Sequence, residues 1–129
     1  MRIFAIITAV LLSGCAGLME QIPSFSDPNQ SRSIVQVRAS VDNLDCSKPQ
    51  LAQVEVIRRD LRWFRLYSES RGRQYDVLRL TDPIVATVDD FHKRVTSLGH
   101  VDNPTYCNLK KQILQQQTKR AAEVVLGRF

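Results

Sequence analysis

The sequence predicts an all-α fold: a small bundle of three or four helices with one disulfide, placed after a cleaved signal and a flexible tether. Three observations lead there. Apolar residues recur at spacings of three and four through most of the chain beyond residue 34. Asp, Asn, Pro and Gly fall between those runs, where helices start and stop. Five Gly and five Pro in 129 residues are too few for a turn-rich all-β protein, and 43% hydrophobic with 24% charged residues is ordinary for a globular chain.

Residues 1–14 read as a signal peptide. One arginine, Arg2, precedes an apolar run from Ile3 to Leu12, and small residues follow. The run is too short to cross a bilayer core of about 30 Å as a stable helix. Leu12-Ser13-Gly14-Cys15 resembles the bacterial lipobox, where the lipoprotein signal peptidase cuts before a diacylated cysteine. The resemblance covers the first fifteen residues. It implies an S-diacylglycerol and N-acyl (palmitate-type) lipid on Cys15 as the covalent group; no other cofactor and no metal are expected. Two or three acyl chains hold a protein to a membrane far more firmly than one. In the sorting rule of enteric lipoproteins, Asp after the cysteine retains the protein in the inner membrane. Ala16 therefore implies the outer membrane, with the domain facing the periplasm.

Residues 15–33 carry two prolines, four serines and no periodicity, and are expected to be a flexible tether. The helical domain is expected over 34–129. Ile34, Val37, Val41 and Leu44 suggest a short first helix, although Val-rich segments also suit strands. Ser47-Lys48-Pro49-Gln50 fits a capping box with Pro in the first turn. A long helix should follow to about Ser70, with Leu51, Val54, Ile57, Leu61 and Phe64 as its apolar stripe, Ser68 next on that face and Gly72 as its stop. Residues 73–81 fit either a helical turn or an extended segment. Asp82-Pro83 reads as a cap followed by Pro at the first helical position. Ile84, Val88, Phe91, Val95 and Leu98 then give the clearest periodicity in the chain, ending at Gly99. Asn103-Pro104 repeats the cap-plus-proline start. The last helix should bury Tyr106, Leu109, Ile113, Gln117 and Val124 and close at Gly127. Helices with one apolar face each must bury those faces against one another.

With Cys15 committed to lipid, Cys46 and Cys107 remain. An even pair in an oxidising compartment suggests a disulfide. Cys46 precedes the long helix and Cys107 lies in the first turn of the last one, so the sulfurs meet if both helices start at the same end. Intermolecular pairing and free thiols are the rivals.

No catalytic signature stands out. His92 and His100 lack neighbours at metal-ligand spacing and read as surface histidines. No serine or cysteine stands in a recognisable nucleophile motif. Asp89-Asp90 beside Lys93-Arg94 reads as salt bridging along one helix surface. The most unusual stretch runs from Arg58 to Tyr67. Arg58, Arg62 and Arg65 fall on one helical stripe, with Trp63 and Tyr67 as i, i+4 neighbours beside it. Arginines with large aromatics typify interface hot spots and also suit a membrane interface. The alternative is a wide core face overlaid by arginines. A second basic cluster, Arg71, Arg73 and Arg79, reads as loop surface. The mature chain from Cys15 carries 17 basic and 13 acidic side chains, +4, which favours anionic partners; a secreted protein rarely meets nucleic acid.

In plan, the lipidated cysteine, tether and small disulfide-bonded helical domain resemble the pilotins of type II and type III secretion systems, which bring a secretin subunit to the outer membrane. The plan is also similar to small phage-encoded lipoproteins, the outer-membrane spanins and the superinfection-exclusion proteins. These resemblances are architectural and transfer no binding site. The expected function is that of a non-enzymatic outer-membrane lipoprotein whose domain binds another envelope protein, with Arg58, Arg62, Trp63, Arg65 and Tyr67 as the contact face. The alternatives are a phage envelope lipoprotein, a secretin pilotin, or direct binding of anionic lipid or lipopolysaccharide by the basic helix face.

Overall fold

The computed structural model describes residues 27–127. The expected signal over 1–14, the expected lipidation residue Cys15 and the expected tether as far as residue 26 lie outside the described residues. Four helices make up the rest: α1 (Pro28–Asp42), α2 (Gln50–Arg71), α3 (Tyr75–Val95) and α4 (Pro104–Leu126). There is no strand among the described residues. Short connections join consecutive helices, which forces neighbours to run antiparallel. α1 packs on α2 and α4, and α3 packs on the same two. The result is an up-down-up-down four-helix bundle. Its core is centred on Phe64 of α2 and Phe91 of α3, both fully buried, with Ile34, Val37 and Val41 from α1 and Leu114 from α4.

α1 starts earlier than its apolar pattern suggests. Residues 28–33, expected in the tether, form its first turns. Asp27 is the N-cap: its carboxylate accepts from the Asn29 amide at 2.8 Å and the Gln30 amide at 3.1 Å, and Pro28 follows at the first helical position. Asp27-Pro28 is thus the same start signal seen at Asn103-Pro104. The polar residues that follow hide the helix from a periodicity test because two of them are buried. Gln30 is fully buried and donates to the Ser68 hydroxyl at 2.8 Å and the Gln74 side-chain carbonyl at 3.0 Å.

α2 begins without the expected capping box. Ser47 turns its hydroxyl to Asp45 instead, at 2.6 Å. Gln53 takes over the reciprocal role: its side-chain carbonyl accepts from the Asp45 amide at 2.7 Å, and its amide donates to the Asp45 and Pro49 carbonyls. Leu51 is exposed, so the buried stripe runs from Val54 through Ile57, Leu61 and Phe64 to Ser68. Gly72 ends the helix at φ +68°, where a side chain would be strained.

α3 starts at Tyr75, not at Pro83. Pro83 lies inside the helix on its exposed side, and Asp82 pairs with Arg65 rather than capping. The reason is packing: Val77 and Thr81 extend the stripe of Ile84, Val88, Phe91 and Val95 back by nearly two turns, and burying them outweighs the backbone bond lost at proline. The helix stops at Val95, so Leu98 is fully exposed in the loop rather than part of the stripe.

α4 starts as expected, with the Asn103 side chain accepting from the Tyr106 amide at 3.1 Å. Its buried face is turned one residue, about 100°, from the predicted one. Leu114, Thr118 and Val125 are buried with Cys107, Ala121 and Ala122, whereas Leu109 and Val124 are exposed and Ile113 and Gln117 half-buried. Small residues let α4 approach its neighbours closely, and small residues carry little weight in an apolar pattern. Cys46 and Cys107 form a disulfide with their Cα atoms 5.7 Å apart, because α2 and α4 do start at the same end.

Candidate functional site

The five residues of the predicted contact face all lie on α2, but they do different things. Arg58 lies 3.7 Å from Glu55 and 3.5 Å from Asp89 of α3, with the His92 ring nitrogen 3.2 Å away. Arg65 reaches across to α3 and donates to the Leu78 carbonyl at 2.9 Å, the Thr81 hydroxyl at 2.7 Å and the Asp82 carboxylate at 2.8 Å. These two guanidinium groups fasten α2 to α3. Arg62 sits between them on the same stripe, exposed, with no ion-pair or hydrogen-bond partner among the described residues.

The two aromatics divide in the same way. Trp63 is 55% exposed and lies parallel to Tyr67, ring centroids 5.3 Å apart. Tyr67 is half-buried. Its hydroxyl lies 3.1 Å from both Asp27 carboxylate oxygens, and Arg71 adds an ion pair to Asp27 at 3.0 Å. Burial opposes ionisation of Asp27, but the Gln30 amide, the Tyr67 hydroxyl, the Asn29 amide and Arg71 outweigh it and hold the carboxyl below the usual carboxylate value. Tyr67 is therefore a clamp between α2 and the start of α1, and a platform for Trp63.

Trp63 forms a ridge between two hollows. One, of about 570 Å³, lies between α2 and α3; Arg62, Trp63, Leu66 and Val85 help line it. The other, of about 400 Å³, lies between α1 and α2, with Arg32, Ser33, Gln36, Arg59 and Trp63 at its walls. Leu66 is 54% exposed. Arg59, Trp63 and Leu66 follow at i, i+4 and i+7, one continuous stripe. Sequence reasoning missed Arg32, Arg59 and Leu66. The stripe spacing could have found the two on α2; Arg32 enters only through the packing of α1. Asp60, buried beside them, accepts from Ser40 of α1 at 2.5 Å and is structural.

The acidic pair of α3 works between helices, not along one. Asp89 faces Arg58 of α2, while Asp90 pairs with Lys110 of α4 at 2.5 Å and accepts from the Tyr106 hydroxyl at 3.2 Å. The Lys110 ammonium holds the Asp90 carboxyl below its usual value, and the same bond raises Lys110. Arg94 covers the Tyr106 ring at 3.8 Å. His92 is not an isolated surface residue: its ring nitrogen meets Glu55 at 2.5 Å. His100 pairs with Asp102 at 3.0 Å. Among the described residues no group of three or more His, Cys, Asp or Glu is placed to hold a metal ion, and no helix is long and apolar enough to cross a membrane.

Comparison with protein-family models, characterised proteins and solved structures finds no match. The geometry alone bears on function. It offers an exposed indole and an exposed leucine flanked by a guanidinium that has no partner among the described residues, an arrangement suited to binding.

Proposed function

We propose that this chain is an outer-membrane lipoprotein, anchored through Cys15, whose periplasm-facing bundle binds another envelope protein and performs no chemistry on it. The lipobox and Ala16 support the anchoring. The binding role rests on one observation: Arg62 has no partner within the described bundle, while its stripe neighbours Arg58 and Arg65 are bound to α3. Beside it, Trp63 and Leu66 each leave more than half of their surface in water. The contact face thus narrows to Arg62, Trp63 and Leu66 with Arg59 at its edge, and Arg58, Arg65 and Tyr67 support it from below.

Crosslinking in intact membranes tests the reading. Arg62→Glu with Trp63→Ala should abolish the crosslinked species while leaving the helical content and thermal melt of the protein close to those of the parent, since both side chains are exposed. If every crosslinked species survives the double substitution, this face is not the docking surface. Capture of a secretin subunit would support a pilotin-like role, and capture of an outer-membrane receptor a receptor-blocking one.

A further inference from the structure

The two ends of the bundle are chemically different. One end holds the α1–α2 and α3–α4 connections with the Cys46–Cys107 disulfide. The other is where the chain enters from Cys15: Asp27 pairs with Arg71, and Gln30 bonds to Gln74 in the α2–α3 turn. That turn presents Arg71, Arg73 and Tyr75, with Arg79 one turn further on α3, all exposed; Tyr75 is 59% exposed. Arg73 and Arg79 have no ion-pair partner among the described residues, and Arg73 occupies the left-handed region at φ +55°, where glycine would be easier to place. Glu69 and Asp76 share this end. Even so, the half of the bundle toward it (residues 27–35, 61–85 and 116–127) has eight basic and five acidic side chains, against eight and seven in the other half.

We infer that the α2–α3 end of the bundle seats on the anionic headgroups of the leaflet that holds Cys15, with Arg73 and Arg79 at the lipid phosphates and Tyr75 at headgroup level. This rests on the lipid anchoring proposed above. Asp27 lies twelve positions after Cys15, a reach of at most about 40 Å. α2 alone spans about 33 Å for its 22 residues. The tether is longer than α2, so the anchor alone lets either end touch the surface, and the basic side chains of the entry end are what select that end. An arginine near an anionic surface gains on the order of fivefold in affinity, and an exposed tyrosine suits the interfacial layer. The seat leaves the Arg62–Trp63 face on the side of the bundle, open to a protein partner.

Energy transfer in vesicles tests the orientation on the full lipidated protein. Trp63 is the chain's single tryptophan, so a Trp63→Phe background takes one donor at a time, Tyr75→Trp or Val101→Trp. The acceptor is dansyl-phosphatidylethanolamine in phosphatidylglycerol-containing vesicles. Transfer from position 75 should exceed that from position 101 several-fold, and Arg73→Glu with Arg79→Glu should erase the difference. Equal transfer from the two ends of the otherwise native protein overturns the inference.

The unlipidated mature chain, lacking Cys15, gives the second measurement. Made from residue 16 onward, and so without the apolar run Ile3–Leu12, at low salt it should sediment with phosphatidylglycerol vesicles and not with phosphatidylcholine, and it should weaken about fivefold for each of Arg73 and Arg79 removed. No sedimentation, or sedimentation lost with Arg62→Glu but kept with Arg73→Glu and Arg79→Glu, also overturns it. Failure of the anchoring itself is read independently, from the mass of the N-terminal peptide of the mature protein.

Discussion

Replacing Cys46 and Cys107 together by alanine tests the largest single constraint on this fold. The two residues are 61 positions apart. In the chain-entropy account, closing a loop of about 60 residues removes about 14 cal/mol/K from the unfolded ensemble, or about 4 kcal/mol at 25 °C. For a bundle of this size each kcal/mol corresponds to about 4–8 °C in Tm, so the double variant should melt about 16–32 °C lower. The cysteines are also buried, Cys107 fully, and alanine adds a small packing loss. The parent protein kept reduced, with both thiols left unmodified, separates that loss from the cross-link. The assay is urea unfolding followed by circular dichroism, with a thermal melt beside it. A loss below about 1 kcal/mol in the variant would mean that the unfolded chain is already held compact, and the loop argument would fail.

Three further outcomes are expected. Exchanging residues 1–15 for an ordinary cleaved secretion signal should move the protein from the membrane to the soluble periplasmic fraction with its bundle still folded; a chain that cannot fold without lipid contradicts the separation of anchor and domain. Arg65→Met should cost about 1–3 kcal/mol, because it removes three bonds to α3 from a side chain only 23% exposed, whereas Arg62→Met should cost under about 0.5 kcal/mol; similar losses in urea unfolding would refute the division between fastening and free arginines. Asp27 and Asp90 have carboxyls held below the ordinary aspartate value. A lowered carboxylate favours the folded state above its unfolded pKa and loses that effect as pH falls through the folded value. Thermal stability should therefore drop on acidification below about pH 4, and Asp27→Asn should flatten that limb while lowering stability at neutral pH; an unchanged acid limb removes Asp27 from the account.

Much of the bundle was legible in the sequence because large apolar residues dominate three of its helices. The stripes through Val54 to Phe64 and Ile84 to Val95 are where their spacing puts them. The misses share a cause. Gln30 and Thr118 are buried polar residues, and Ala121 and Ala122 are small, so a test weighted by hydrophobicity does not see them. Leu51, Leu98 and Leu109 are exposed leucines that the same test counts as core. Pro83 misled for another reason: local propensity places it at a helix start, while Val77 and Thr81 are held by partners distant in sequence. The candidate site was half legible. The clustering of arginines with Trp63 and Tyr67 is a sequence fact, but which guanidinium is occupied depends on Asp82, Asp89 and the Leu78 carbonyl of α3, which no spacing rule brings alongside α2.

The clamp at Asp27 has a mechanical consequence. A pull arriving along the chain from residue 26 meets a carboxylate held by two backbone amides, the Tyr67 hydroxyl and Arg71. Such a load passes at once into α2 instead of unwinding α1 turn by turn. At the far end, the covalent link to α4 follows directly after α1, so the loaded pair is tied back into the bundle. Tension on the chain would thus shear whole helices against each other, the direction in which a packed core resists most, rather than peel one away.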